Sequence, residues 1–208
     1  MTEQYKTVRA AAQAEFIVKK SRFIGYISPV TTSAQALEFI AKISKRHWDA
    51  THNVYAYILR EEGVKRYSDD GEPQGTAGIP TLDVLEKQGL TDCAVVVTRY
   101  FGGIMLGAGG LVRAYSHGAA IAVEAGGVVT RAVCARLAVT CDYTFYGRLA
   151  ALVPASGGVV EDTAFTDAVT LQLRIPRVLE DGFRAALTEA SNGRVTAEKI
   201  EELYADLD

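Results

Sequence analysis

From residue 93 to residue 115 the chain reads CAVVVTRYFGGIMLGAGGLVRAY. Its first eight residues are almost wholly apolar and β-branched, the pattern of a strand buried on both faces. Two glycine pairs, Gly102-Gly103 and Gly109-Gly110, then bracket a short turn. Beyond it, Leu106 to Ala125 is periodic enough for a helix, with Leu111, Tyr115, Gly118 and Ala122 on its apolar side and Gly126-Gly127 as its stop. A buried strand leading through glycines into a helix implies helices packed on a sheet. The glycines are concentrated here: of nineteen, twelve lie between Gly71 and Gly127. They show no G-X-Y period, which excludes a collagen-like chain, and are too local for a flexible linker protein.

Working outward, strands are expected at Tyr5–Ala12, Glu15–Lys19 and Phe23–Val30. Thr32 with Gln35 forms a capping box for a helix to about Lys45, with Ala36, Ile40, Ile43 and His47 on one face. Asn53–Leu59 reads as a strand, Glu61–Gly78 as a long loop, and Pro80–Lys87 as a short helix. A second unit starts near Val133. It holds a strand (Ala135–Asp142), a helix carrying Phe145, Leu149, Leu152 and Val153 on one face, and a strand at Val159–Ala164. Val169, Leu171, Leu173 and Ile175 then alternate with polar residues, as in a strand buried on one face. A helix carrying Leu179, Phe183 and Leu187 stops at Asn192-Gly193, and a short strand is expected around Arg194–Thr196. The order β-α-β-β-α-β is the ferredoxin-like plan. The fold class is therefore α+β, with domains at residues 1–132 and 133–208.

Bulk composition narrows the function. Apolar residues make up 49% and charged residues 23%, ordinary for a globular chain. No run approaches the roughly twenty apolar residues of a membrane-spanning helix. The N-terminus lacks a secretory pattern, so a cytoplasmic chain is expected. Cys93, Cys134 and Cys141 are odd in number and without C-x-x-C spacing, and read as buried hydrophobes. The net charge of −3 divides unevenly, with residues 1–133 at +2 and residues 134–208 at −5. No chain-wide basic field exists for nucleic acid, but a local basic patch on the first part is compatible with these sums.

Four clusters could carry chemistry. The glycine turn would leave backbone N–H groups free at a helix start, ready for an anion. Gly102, Gly103, Gly107, Gly109 and Gly110 build it, Arg99 and Arg113 add charge, and Tyr100 or Phe101 offers a stacking face. The plainer reading is that these glycines let helix and sheet pack closely and that the aromatics are core. Nucleotide motifs fail: G-x-x-x-x-G-K-[ST] is absent, and a G-x-G-x-x-G begun at Gly107 meets Val112 at the third glycine. Asp69, Asp70 and Glu72 could hold Mg²⁺ or do acid–base work, although Asp-Asp-Gly-Glu-Pro is more simply a turn. His47 and His52 have the wrong spacing for zinc; His47 reads as a hydrogen-bonded core edge, and His52 could line a cleft. Lys20 and Arg22, in Lys-Lys-Ser-Arg-Phe, suit phosphate or a solvated face. No catalytic residue, metal or cofactor is assigned.

Taken together, Lys20-Ser21-Arg22-Phe23, the His47…His52 pair, Asp69-Asp70-Gly71-Glu72-Pro73 with Gly75-Thr76-Ala77-Gly78, and Arg99-Tyr100-Phe101-Gly102-Gly103 through Tyr115 resemble the YigZ/IMPACT family. The likeness spans about residues 15–127, and the C-terminal unit matches the family's usual second domain. It implies a ribosomal-protein-like α/β N-terminal domain and a ferredoxin-like C-terminal domain, similar to the fourth and fifth domains of elongation factor G. It also implies a role in translational control, with RNA, the ribosome or a protein as partner and no membrane. Eukaryotic members, which carry an extra N-terminal domain, compete for the co-activator of an amino-acid-starvation kinase. This chain is similar to the bacterial short form. Two alternatives to an RNA-binding module follow from the residues. One is an enzyme with a cleft of Asp69–Glu72, His52 and the glycine turn; the other is a protein–protein adaptor.

Overall fold

The computed structural model of the chain describes residues 3–207. It divides into two compact units, Tyr5–Val129 and a second made of the described residues up to Gln4 together with those from Thr130 onward. The chain thus belongs to the second unit first, builds the first unit, and returns.

The first unit contains β1 (Gln4–Val8), β2 (Ala12–Val18), β3 (Ser21–Pro29), α1 (Ser33–Arg46), β4 (His52–Leu59), β5 (Val64–Ser68), α2 (Gly78–Lys87), β6 (Cys93–Tyr100) and α3 (Ala108–Gly126). Its main sheet has the order β2-β3-β6-β4-β5, antiparallel throughout. The central β6 is buried on both faces, as its Val run requires. On one face Phe23, Val54, Val95 and Val97 pack with Leu111, Tyr115 and Ala122 of α3 and Leu85 of α2. On the other, Ile24, Tyr57 and Val96 pack with Ala36, Ile40 and Ile43 of α1. Thr32 does cap α1, accepting from the Gln35 N–H at 3.3 Å. The Gln35 side chain reaches one residue further back than a capping box requires, accepting from the Thr31 N–H.

The second unit contains β7 (Val128–Cys141), α4 (Tyr143–Ala155), β8 (Val159–Phe165), β9 (Val169–Pro176), α5 (Arg177–Ser191) and β10 (Ala197–Asp206). Pairing runs β10-β7-β9-β8, all antiparallel, which is the ferredoxin-like order. Leu137, Val139, Leu171, Leu173 and Ile175 meet Leu149 and Val153 of α4 and Phe183 and Leu187 of α5. Asn192, with φ of 51°, supplies the left-handed cap that ends α5.

Two elements differ from the sequence expectation. The segment Glu61–Gly78 is not all loop, because β5 forms an edge strand within it. Its VKRYS sequence shows no apolar alternation, since an edge strand with little burial needs none. The last strand begins at Ala197, after Arg194–Thr196, and runs through the acidic tail. Arg136 lies between Glu161 and Glu201, and Lys199 bonds Glu202 at 2.7 Å, so cross-strand and local partners accommodate that charge.

One polar cluster on the α1 face sets an acid limit. Tyr100 Oη donates to Asp49 Oδ1 at 3.1 Å, so it accepts from His47 Nδ1 at 2.8 Å. Nε2 of His47 is then the acceptor for Tyr26 Oη at 2.6 Å, which fixes a neutral tautomer. Burial, reinforced by Arg46 and Arg22, pushes the His47 pKa below its ordinary 6.5, against the pull of Asp49. A depressed histidine pKa contributes stability that is present above the unfolded value and is lost as pH falls through the folded one. Urea titrations at about pH 7.5 and about pH 5 should show wild type losing stability on acidification more than His47→Gln does. Parallel curves for the two proteins would refute this.

Candidate functional site

The acidic loop and the glycine turn meet on the α3 face of the first sheet. In the register, Phe23 of β3 and His52 of β4 flank Arg99 of β6. Arg99 Nη1 donates to Glu72 Oε1 at 2.6 Å, and Tyr115 Oη donates to the same oxygen at 2.7 Å. Both side chains of the Arg99–Glu72 pair are buried, at 6% and 4% exposure. Burial, then the hydrogen bond to Glu72, raises the Tyr115 pKa and keeps the phenol protonated as a donor. His52 donates through Nδ1 to the Asp70 carbonyl at 2.7 Å and holds Nε2 3.7 Å from Glu72. The guanidinium carbon of Arg99 lies 5.5 Å from the Phe23 ring centre and 5.4 Å from that of Phe101.

The remaining carboxylates shape the loop. Asp69 accepts from the N–H groups of Gly75, Ala77 and Gly78 at 2.8–3.1 Å. Burial works to raise its pKa, but these three backbone bonds outweigh it and lower the value. Asp70, in the left-handed region at φ 45°, accepts from the Asn53 N–H. The turn reading therefore describes both aspartates, and only Glu72 reaches the cleft. Glu72 Oε1 serves two donors, and through them ties the acidic loop to β6 and α3.

The glycine turn is pinned at its start and open after it. The Phe101 N–H bonds Thr51 Oγ1 at 3.0 Å, and the Gly102 N–H bonds Ser21 Oγ at 3.2 Å. A methyl group at Gly102 would sit 2.0 Å from the Lys20 carbonyl carbon, so this glycine serves packing against the β2–β3 turn. Gly103 and Gly107 have φ of 82° and 74°, and at Gly103, Gly107 and Gly109 a Cβ would meet only open space. Gly107 caps α3 without a side chain. The helix start is thus uncapped and unobstructed, and a cleft of about 260 Å³ lies over it, lined in part by Glu72, Arg99, Phe101 and Gly107.

The sequence candidates separate into distinct positions. Arg99 lies beneath the turn as a buried ion-pair partner, not on its surface. Tyr100 points to the opposite face of the sheet, toward His47, as strand alternation demands. Phe101 is half exposed beside the cleft. Arg22 is paired with Glu15 at 2.5 Å. Lys20 sits exposed in the tight β2–β3 turn, where Lys19 and Lys20 have φ of 44° and 63°. Arg113 is exposed on the second turn of α3. Lys19, Lys20 and Arg113 have no ion-pair partner among the described residues. The sequence places Tyr115 on the apolar side of its helix, Lys19 in the basic Lys-Lys-Ser-Arg-Phe run and His117 near Arg113 on the polar side of the helix, but it neither singles out Phe16 nor joins these residues into one site. No local motif joins them, because strand β2 and helix α3 bring them together only in space.

Comparison with known proteins agrees with this layout. Residues 19–123 match the family model described as the Impact N-terminal domain, a range that takes in strands β3 to β6, the acidic loop and the glycine turn. The chain belongs to the IMPACT family. A second model, a domain of unknown function (DUF1949), matches residues 139–194 of the family's C-terminal unit. The IMPACT family member YvyE of Bacillus subtilis is 39% identical, over 99% of this chain and 95% of its own length. The IMPACT family member YigZ of Escherichia coli is 32% identical, over 89% and 92% respectively. Protein IMPACT of Mus musculus is 34% identical over 43% of this chain and 29% of its own length. A solved structure titled as that of an hypothetical protein covers 97% of the chain with a TM-score of 0.61 and 30% identity. No helix among the described residues of this IMPACT-family chain is long and apolar enough to cross a membrane.

Proposed function

We propose that this IMPACT-family chain is a non-catalytic RNA- or ribosome-binding protein of translational control, acting through its first unit. The observation that carries this reading is the open, uncapped start of α3 close to unpaired Arg113, with Lys19 and Lys20 in the β2–β3 turn that Gly102 packs against. Free backbone N–H groups and the positive end of the helix dipole attract phosphate, and unpaired cations add to that attraction. The half-exposed Phe101 offers a face for a base. Arg99 would act indirectly, by holding Glu72 and the floor of the cleft in place.

Fluorescence anisotropy with a single-stranded RNA tests this across salt concentrations. Changing Lys19, Lys20 and Arg113 together to Gln should weaken binding at least about tenfold and reduce the salt slope by about 2. These residues are exposed, so the variant should keep its melting temperature. An absence of binding at low ionic strength, or a variant that binds like wild type, would overturn the reading.

A further inference from the structure

A second groove lies beside the glycine turn, on the far side of Leu106 from the Glu72 cleft. It has a volume of about 330 Å³ and lies between β2 and the beginning of α3. Phe16 forms its aromatic wall and is held on two sides. Its ring stacks on Phe23 at 5.1 Å and 12° between planes, and it meets the His117 ring at 4.6 Å and 72°. Val18, Leu106 and Ala114 add apolar surface, while Lys19 and Arg113 line the same groove. No carboxylate is among the lining residues.

We propose that this groove receives one nucleobase of a single-stranded RNA, with Lys19 and Arg113 contacting the phosphates that flank it. This deepens the RNA reading above and rests on it. The argument is charge complementarity combined with shape. An apolar side chain from a protein would need only the apolar walls and would leave two unpaired cations facing it. A nucleotide presents a flat π-face and an anion within one unit, and matches both features. The volume lies at the small end of ligand sites, enough for a base and part of its sugar and too little for a folded element. Phe16 is preformed by its two ring neighbours, so little ordering is needed on binding.

The test compares oligouridine with an abasic ribose-phosphate strand of the same length and charge. The base pocket predicts that the abasic strand binds about tenfold more weakly, or worse. Equal affinity for the two strands overturns the pocket while leaving phosphate binding standing. Binding of neither strand overturns phosphate binding itself. Val18→Trp, which fills the groove, should erase the preference for bases, as should Leu106→Ala, which removes a wall from a loop position. Ile17→Trp, on the other face of the same strand and 70% exposed, should leave the preference intact. If both groove variants keep their melting temperature and still prefer bases, the pocket lies elsewhere and the assignment fails.

Discussion

Replacing Arg99 with Met should destabilise the first unit by about 3–5 kcal/mol, because it strands the Glu72 carboxylate in a buried site. Neither partner can turn to water in its present position, with side-chain exposures of 6% and 4%. Tyr115 Oη would remain as a donor to Glu72, but a neutral phenol does not replace a cation. The companion triple variant, Arg99→Met with Glu72→Leu and Tyr115→Phe, removes the carboxylate together with both of its hydrogen-bond donors. It should regain most of the loss, since burying ion pairs carries a desolvation penalty of its own. Urea unfolding of the three proteins gives the comparison. A loss below about 1 kcal/mol for Arg99→Met would show that the pair behaves as a solvent-screened one. The same result bears on function, because an Arg99 variant that fails to bind RNA would report a collapsed floor and not a lost phosphate contact. For that reason Lys19, Lys20 and Arg113 are the informative substitutions.

Gly25→Ala is expected to lower stability by about 3 kcal/mol, a large effect for one methyl group. A Cβ at Gly25 would lie 2.1 Å from the Gly118 carbonyl oxygen and 3.0 Å from Ala122 Cβ, so strand β3 and helix α3 would have to separate. Both obstacles belong to rigid elements, and no side-chain rotation relieves them. Gly109→Ala is the control: nothing lies within 4 Å of its Cβ, and its residue is helical. Alanine there should be neutral or stabilising by up to about 1 kcal/mol through helix propensity. Thermal unfolding of the two variants separates close packing from glycine content as such. Equal melting temperatures would refute the close-approach argument.

The contrast between these glycines shows why their count was ambiguous in the sequence. Gly25, Gly102 and Gly118 are small because another backbone or side chain lies against them. Gly103 and Gly107 are needed for positive φ, and Gly109 faces open space. Composition cannot divide these uses, since all depend on what lies across the contact. The buried Val run of β6, the periodicity of α3 and the alternation of β9 were legible because each states its own burial. The edge strand β5 and the acidic strand β10 were not, because a mostly solvated strand needs no apolar rhythm.

The site divides in the same way. Local sequence was enough to place the Asp69–Glu72 turn and a glycine-lined entry to a long helix, because turn chemistry and helix capping are decided within a few residues. Tertiary structure alone decided that Glu72 turns inward to Arg99 and Tyr115, 27 and 43 positions away along the chain. It likewise brought His47 of the α1 side to Tyr100 on the other face of the sheet, and joined Phe16, Lys19, Arg113 and His117 around one groove. These juxtapositions follow from strand register and from the close approach of α3 to β3, and neither is written in any single segment. The sequence by itself determined an α+β chain with an open glycine turn; packing decided which charges stay buried beneath that turn and which remain exposed around it.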